Sequence, residues 1–473
     1  MLLVLLPNQL IQTNIIDDIV DKYTLNKIVL YEHNKFFTKF KYHKSKLIFH
    51  RASMKAYYDL LIKTYPKIQV EYVEYTKEFR DLAIKTDIVI FDPVDFEISK
   101  EFKKYTNETQ QKLTVIDSPL FILTVNNIND YVNDYVNDYV KEAKHTYHNA
   151  TFYKYMRRTK NILMDGDKPI NNTWSFDKEN RHRFIDNYKE DKLQYVNNKY
   201  IVEATEYINK NFNNNIGSGY VIVPITHADA IKHYHKFLKH KLKLFGPYQD
   251  AIKDDVNIGY HSCISALLNT GLLDVRYVIN AALKYKDVVP IESLEAFIRQ
   301  ILSWREYVRM LYIKEYKALT TMNFLNHKNK LPKTWYTATT GILPIDTTIK
   351  KAIATAYLHH IERLMIIGNF MLISYIRPKD VYKWFIEVVS IDAYEWVMVP
   401  NIYGMSQHSV GTLMMNRPYV SSSNYIYKMS NYKRNNKTNW AIIWDELYHK
   451  FLEKHKTYLS KNYIMANIVK KSK

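Results

Sequence analysis

Short apolar runs alternate with helical spacing over the first hundred residues. LLVLL (2–6), KIVLYEH (27–33), LIFH (47–50), IQVEYVEY (68–75) and DIVIFD (87–92) have the length and composition of buried strands. Between them, NIIDDIVDKY and SMKAYYDLLIKTY repeat apolar residues every three or four positions, as an amphipathic helix does. This alternation predicts an α/β domain: a parallel, Rossmann-like sheet with helices on both faces. Ligands of such sheets sit beyond the C-terminal ends of the strands. That nominates Pro7, Asn8 and Gln9 after the first strand, and Glu32 and His33 after the second.

Residues 129–140 read NDYVNDYVNDYV. The four-residue repeat fits an amphipathic helix with Tyr on one stripe, or a slipped repeat in a tolerant linker, which is the preferred reading. Residues 141–215 are polar, rich in Asn and Lys, and read as a connector crossing the surface. From about residue 220 the period is helical almost throughout, in ADAIKHYHKFLKHKL, HSCISALLNTGLL, DVRYVINAALKY, LEAFIRQILSWREYVRMLY, AYLHHIERLMIIGNFMLISYI and WDELYHKFLEKH. The expected organisation is an α/β domain over 1–128, an inter-domain linker over 129–218 and a large all-α domain over 219–473.

Composition narrows the class. With 47% hydrophobic and 24% charged residues the chain is an ordinary folded one. A net charge of +19 points to a polyanion, either nucleic acid or an anionic membrane surface. Compositional drift toward Lys and Asn, with 10 glycines, accounts for part of that excess. Cys263 is the sole cysteine, which excludes an intrachain disulfide and any cysteine-ligated zinc or iron–sulfur site. A reducing, intracellular compartment is expected. The start, MLLVLLPNQL, is apolar for six residues and lacks a basic n-region, so it reads as a buried strand and not as a secretion signal. No run approaches the roughly 18 apolar residues of a membrane span.

The usual motif searches return little. There is no GxxxxGK[ST], and the only GxG, Gly217–Ser218–Gly219, lacks its third glycine. HHIER (359–363) is not HExxH, because no histidine follows at i+4. By spacing alone it reads as one packed ring and one partly exposed ring. IKHYHKFLKHKLK (231–243) interleaves basic and aromatic residues and fits either a solvated helix face or phosphate contact.

Several longer stretches occur together in order: FGPYQDAI (245–252), YHSCISALLNTGLL (260–273), ESLEAFIRQILSWREYVR (292–309), HHIERLMIIGNF (359–370), DAYEWVMVPNIYGMSQ (392–407) and RPYVSSSNYIYKMSNYK (417–433). With LPNQL and FHRASMKAYYDLL near the N-terminus, they resemble the photolyase–cryptochrome superfamily over essentially the whole chain. The similarity is to the bacterial-type branch that usually carries an iron–sulfur cluster and repairs (6-4) photoproducts. The resemblance implies a helical domain holding FAD and an α/β domain holding an antenna chromophore, 6,7-dimethyl-8-ribityllumazine in this branch. It also implies UV-damaged DNA as partner, a flipped lesion, and electron transfer from photoexcited reduced flavin. A monomer with no membrane attachment is expected.

The implied cofactor residues are Tyr248 and Gln249, then His261, Ser262, Ile264 and Ser265 in a segment that starts a helix and suits a pyrophosphate. Arg299, Trp304 and Arg305 share one helix, where Arg299 faces the flavin phosphates or pairs with Glu295 or Glu306. Asp392, Met398 and Asn401 correspond to positions over the flavin ring and ribose, Met398 standing where a Glu is usual. Asn8, Gln9 and Glu32 are the antenna candidates. Repair of a (6-4) lesion moves a group between two bases and requires a proton, which a histidine titrating near neutrality supplies. The resemblance sets His359 and His360 against the lesion, with Arg363 four residues on and Tyr419 beside it. The rivals are a cryptochrome-like blue-light photoreceptor without repair, and a cyclobutane-dimer photolyase, which needs no such pair.

Two departures stand out. The cluster cysteines are missing: their places fall near Pro344, at Lys433 and Asn436, and in NKTNWAIIW, so no cluster and no metal is expected. In the electron-transfer chain Trp384 matches, but Phe385 replaces a tyrosine and Tyr336 a tryptophan, with Trp335 or Trp396 as substitutes.

Overall fold

The computed structural model describes residues 1–82, 85–136, 147–176, 181–185, 187–434 and 439–471. Five strands, β1 (Leu2–Leu5), β2 (Lys27–Tyr31), β3 (Gln69–Val73), β4 (Ile88–Phe91) and β5 (Leu113–Ile116), form one sheet in the order β3-β2-β1-β4-β5. Every pairing is parallel. β1 and β4 are buried along their whole length, because helices α1 (Thr13–Tyr23), α2 (Lys44–Thr64) and α3 (Phe96–Glu108) cover the faces. From His227 onward the described residues are helices and loops.

Three expectations need correction. LIFH is not a strand but lies inside α2, which the ring of His43 caps by accepting from the Ser45 backbone N–H at 3.1 Å. All four of its residues are buried, and a helix buried on every face loses the 3.6 period that distinguishes it from a buried strand. β5 escaped notice because it is a half-exposed edge strand. The polar connector contains two packed helices, Asn149–Lys160 and Lys199–Asn211. Their apolar stripes, Phe152–Tyr153–Met156 and Ile201–Ala204–Ile208, are short and hidden among Lys and Asn. The described part of the tandem repeat is helical: Tyr131 is buried and stacks on Tyr135 with centroids 5.3 Å apart, the amphipathic reading and not the slipped one. Residues 137–146, with the rest of the repeat, and Asn436 lie outside the described residues.

An ion-pair knot ties the sheet to the connector. Arg51 on α2 donates to Glu32 (3.1 Å), Glu74 (2.9 Å) and Glu203 (2.6 Å), and its guanidinium lies 3.5 Å from the Tyr207 ring centre. Glu32 also accepts from the Tyr72 hydroxyl. The two halves of the chain meet at residues 120–123. Arg305 and Arg309 donate to the Leu120 and Leu123 carbonyls at 2.9 and 2.6 Å, while Glu306 accepts from the backbone N–H of Ile122 and Leu123 at 3.0 and 3.2 Å.

Arg51→Ala leaves the fully buried Glu32 without its cation. We expect a loss of about 3–5 kcal/mol in urea unfolding. A loss below 1 kcal/mol on that scale would show that the knot is dispensable.

Burial pushes His43 and His408 down to about 4. Histidines of an unfolded chain titrate near pH 6.5, so acid favours unfolding. This contribution is complete above about pH 6.5 and is lost as the pH falls toward 4, at about 1.36 kcal/mol per pH unit for each ring. Unfolding free energy should therefore decline measurably between pH 6.5 and 5, and His43→Gln should flatten that slope.

Candidate active site

The sheet's C-terminal edge is where strand order reverses, between β1 and β4. Gln9 donates to the Phe91 carbonyl at 3.0 Å and accepts from the Leu6 N–H, and Asn8 donates to the Pro93 carbonyl at 3.3 Å. With Glu32 held by Arg51 and Tyr72, the three antenna candidates spend nearly all their polar groups on the protein. Asn8 Oδ1 alone of these is buried without a partner among the described residues.

A second constellation forms in the helical half. The loop before helix Ser265–Thr270 carries His261, and the turn before the π-helical stretch Glu362–Gly368 carries His359 and His360. The rings of His261 and His359 stack at 4.7 Å with a 12° interplanar angle, and His360 meets His261 edge-on at 5.4 Å. His359 is buried, with Nε2 3.4 Å from the Glu362 carboxylate, which in turn binds Lys351 at 2.7 Å. The His360 side chain is 51% exposed, with Nε2 3.3 Å from Asp250. Burial, and next in size the neighbouring rings, hold the pKa of both His261 and His359 well below the ordinary histidine value.

Asp392 is the hub beside them. It accepts from Ser265 Oγ at 2.6 Å and Arg363 Nη2 at 2.9 Å, and its carbonyl accepts from Asn269 at 3.0 Å. Asp392 Oδ1 stays buried without a partner among the described residues. Arg363 also donates to the Leu358 carbonyl at 2.7 Å, which fixes the turn that carries the two histidines. Cys263 sits between His261 and Ser265 at a left-handed φ of 53°, its thiol pushed up to about 12 by burial and Asp392.

Two further π-helical stretches, Gln300–Trp304 and Pro400–Ser406, meet through their polar side chains, and such π-bulges often mark functional sites. Trp304 Nε1 donates to Asn401 Oδ1 at 3.2 Å. The stretch Pro400–Ser406 meets Glu362–Gly368 at Gly368, where an added Cβ would lie 2.3 Å from Ser406 Oγ.

His261, Ser265, His359, His360, Arg363 and Asp392 thus form one connected group, and Trp304 pairs with Asn401. Ile264 and Met398 are buried. Ser262 gives its carbonyl to the His233 ring at 2.9 Å. Gln249 donates to the Gly246 carbonyl at 3.2 Å, and Tyr248 lies parallel to Phe184 at 6.0 Å. Arg299 lies 3.5 Å from Glu295. Arg305 belongs to the junction at residues 120–123, where it also lies over Phe121 at 4.3 Å and Trp396 at 4.9 Å. Tyr419 is partly buried with Arg417 5.9 Å from its ring centre, and burial, with a smaller push from Asp250, the partner of His360, raises the pKa of its hydroxyl. Trp384 is buried 6.0 Å from Trp335 and 5.1 Å from Phe385, while Tyr336 donates to Glu387 at 2.8 Å.

Sequence reasoning missed Asp250, Lys351 and Glu362. Glu362, three residues after His359, carried a readable signal, since that spacing puts a carboxylate beside an imidazole.

Residues 3–220 match the family model described as deoxyribodipyrimidine photo-lyase-related protein. The chain is 36% identical over 330 residues to a (6-4) photolyase of Agrobacterium fabrum, an alignment covering 67% of this chain and 64% of that relative. It therefore spans just under two thirds of the relative's length. Among solved structures, a Synechocystis cryptochrome superposes with a TM-score of 0.59 at 13% identity, covering 96% of this chain and 89% of the other. An archaeal photolyase from Sulfolobus tokodaii with two FAD molecules gives 0.56 at 11% identity, covering 97% and 100%. The chain is similar to the photolyase–cryptochrome superfamily in this family match, in this relative and in its fold. The superfamily architecture, a parallel α/β region followed by a helical region, is the one seen here.

In this chain the crossing at Gly368 has no room for a side chain. Gly368→Ala should cost about 1–3 kcal/mol in thermal or chemical unfolding. Adding Ser406→Ala, which removes the nearest atom, should recover part of that loss.

Proposed function

We propose that this protein is a light-dependent DNA-repair enzyme, a photolyase acting on (6-4) pyrimidine photoproducts with FAD as its cofactor. The observation that carries this reading is the exposed His360 ring beside the buried His359. The naming of the 36% identical relative as a (6-4) photolyase and the FAD in the archaeal structure of the same fold support it.

The helical residues fit a flavin. Asp392 Oδ1 and His261 Nε2 are buried polar atoms without partners among the described residues, and they lie within the connected group that includes Ser265 and Arg363. Asp392, Asn401, Trp304 and Ser265 would hold the group, with Met398 against it. Bound and reduced, FAD supplies the light-driven electron. His360 delivers the proton, because it is the solvent-reaching ring and Asp250 holds its Nε2. His359 is a positioning residue: buried and neutral, it is fixed by Glu362 and stacked on His261. Tyr419 and Arg417 line the same rim, and the net charge of +19 suits DNA phosphates. Electrons for flavin reduction enter through Trp384 and Trp335, since Phe385 is hard to oxidise and Tyr336 is tied to Glu387. Asn8, Gln9 and Glu32 spend most of their polar groups on the protein, Asn8 Oδ1 alone being left over, and no step is derived through a lumazine antenna.

The test is to purify the protein, record its absorption spectrum, and illuminate it with DNA carrying one defined lesion. Flavin bands and conversion of the (6-4) lesion are expected, with His360→Ala slowing repair on the order of 100-fold or more. A flavin that repairs neither lesion type would favour the cryptochrome-like photoreceptor. Repair of cyclobutane dimers alone would favour the other photolyase. Full-rate repair by His360→Ala would remove that residue from the mechanism.

A further inference from the structure

His261, His359 and His360 each offer a ring nitrogen within 4.8 Å of the other two. Proximity alone would be weak, but the other sides of the rings are also ordered. His359 directs Nε2 to Glu362 at 3.4 Å, and its Nδ1 is buried without a partner among the described residues. His360 directs Nε2 to Asp250 at 3.3 Å, leaving Nδ1. The ring of His261 bonds to the Gln249 backbone, while its Nε2 is buried without a partner among the described residues. His261 and His360 therefore each have one nitrogen bonded to a carbonyl or a carboxylate and the other left over, while His359 faces the Glu362 carboxylate across 3.4 Å with Nδ1 left over. This is the arrangement that orients histidines as metal ligands, in which the outer partner fixes the tautomer and frees the inner lone pair.

We propose that His261, His359 and His360 form a binding site for one divalent cation of the zinc class, with Glu362, Asp250 and the Gln249 backbone as its outer shell. Three neutral histidine nitrogens suit zinc or cobalt and not magnesium or calcium, which take oxygen ligands. Zn–N bonds of about 2.0–2.1 Å set ligand nitrogens roughly 3.3 Å apart. The cluster must contract, and His360, half exposed at the start of its helix, is the ring free to move. Solvent at this open side completes the coordination. A cation here also has a functional consequence that rests on the proposed repair role. A nitrogen lone pair given to a metal cannot hold the proton that His360 is to deliver, so the cation switches repair off.

The experiment uses the full chain, freed of metal with a chelator and kept in the dark, titrated with Co²⁺ alone. One equivalent should bind with the visible absorption of a nitrogen-ligated, low-coordinate ion, and Zn²⁺ should displace it. His360→Ala and His261→Ala should each weaken binding more than 10-fold, and Glu362→Gln on the order of 10-fold through the outer shell. His240→Ala, an exposed histidine on another helix, should leave it unchanged. Since His360 is exposed, its variant stays informative even where a His261 variant fails to fold. Co²⁺ affinity unaltered by His360→Ala, or binding without the ligand-field bands, would overturn the site. Repair assayed at saturating Zn²⁺ reads separately: inhibition supports the switch, whereas cobalt binding with undiminished repair overturns the switch and counts against the proton role, while the site stands.

Discussion

The buried carboxylate of Asp392 is the constraint on which the site depends. A charge removed from water is tolerated only where other groups replace its hydration. Asp392 recruits them from separate parts of the chain: Ser265 Oγ from a short helix, whose Asn269 also binds the Asp392 backbone carbonyl, and the Arg363 guanidinium from the start of a π-helical stretch. The next residue, Ala393, gives its carbonyl to Lys46 on α2. Lys46 is fully buried, and burial pulls its pKa down to about 7 against the attraction of Asp392. The hub thus reaches from the helical half into the α/β half, and displacing one of its segments leaves the others with an unmet charge.

The histidine geometry follows from that hub. Arg363, held by Asp392, clasps the Leu358 carbonyl, and its own N–H bonds the His359 carbonyl at 3.2 Å. The turn is therefore fixed before either imidazole makes a contact. His359 enters the interior over Glu362, and His360, the adjacent residue, emerges toward Asp250. Adjacency is what makes this division possible, because successive positions on a helix point about 100° apart. Two chemically identical side chains acquire different roles, one neutral and locked, the other open to solvent. A site set by packed neighbours and outer hydrogen bonds needs little reorganisation when a partner arrives.

The parallel sheet and the helical second half were legible because alternation and period are local properties of the chain. What stayed hidden was buried on every side or assembled from distant pieces. LIFH lost its helical period inside a fully buried α2, and the connector helices carry only three or four apolar positions each. The six residues of the connected group could be nominated from their motifs, but Asp250 and Lys351 could not, since 110 and 9 residues separate them from His360. Arg305 illustrates the opposite limit. An arginine on the right helix, next to Trp304, faces the other way and holds backbone carbonyls at the junction of the two halves.

Helix Asn439–Lys454 braces the segment that presents Tyr419, in the region where the resemblance would set the branch's last cysteines. Trp440 stands there, buried, with its ring 5.1 Å from Tyr427 and 6.2 Å from Trp444. Trp444 donates to the Ser421 carbonyl at 3.0 Å, and Asp445 accepts from both the N–H and the hydroxyl of Ser423 at 2.7 Å. Asn369, from the end of the histidine-bearing stretch, bonds the same Ser421 at 2.9 Å. The segment that presents Tyr419 is thereby stitched on one side to the C-terminal helix and on the other to the helix that follows His360. A network of indoles, a carboxylate and an amide thus cross-links these segments. It keeps the tyrosine and the histidines in one frame because the bonds converge on residues 421–423, two to four positions from Tyr419.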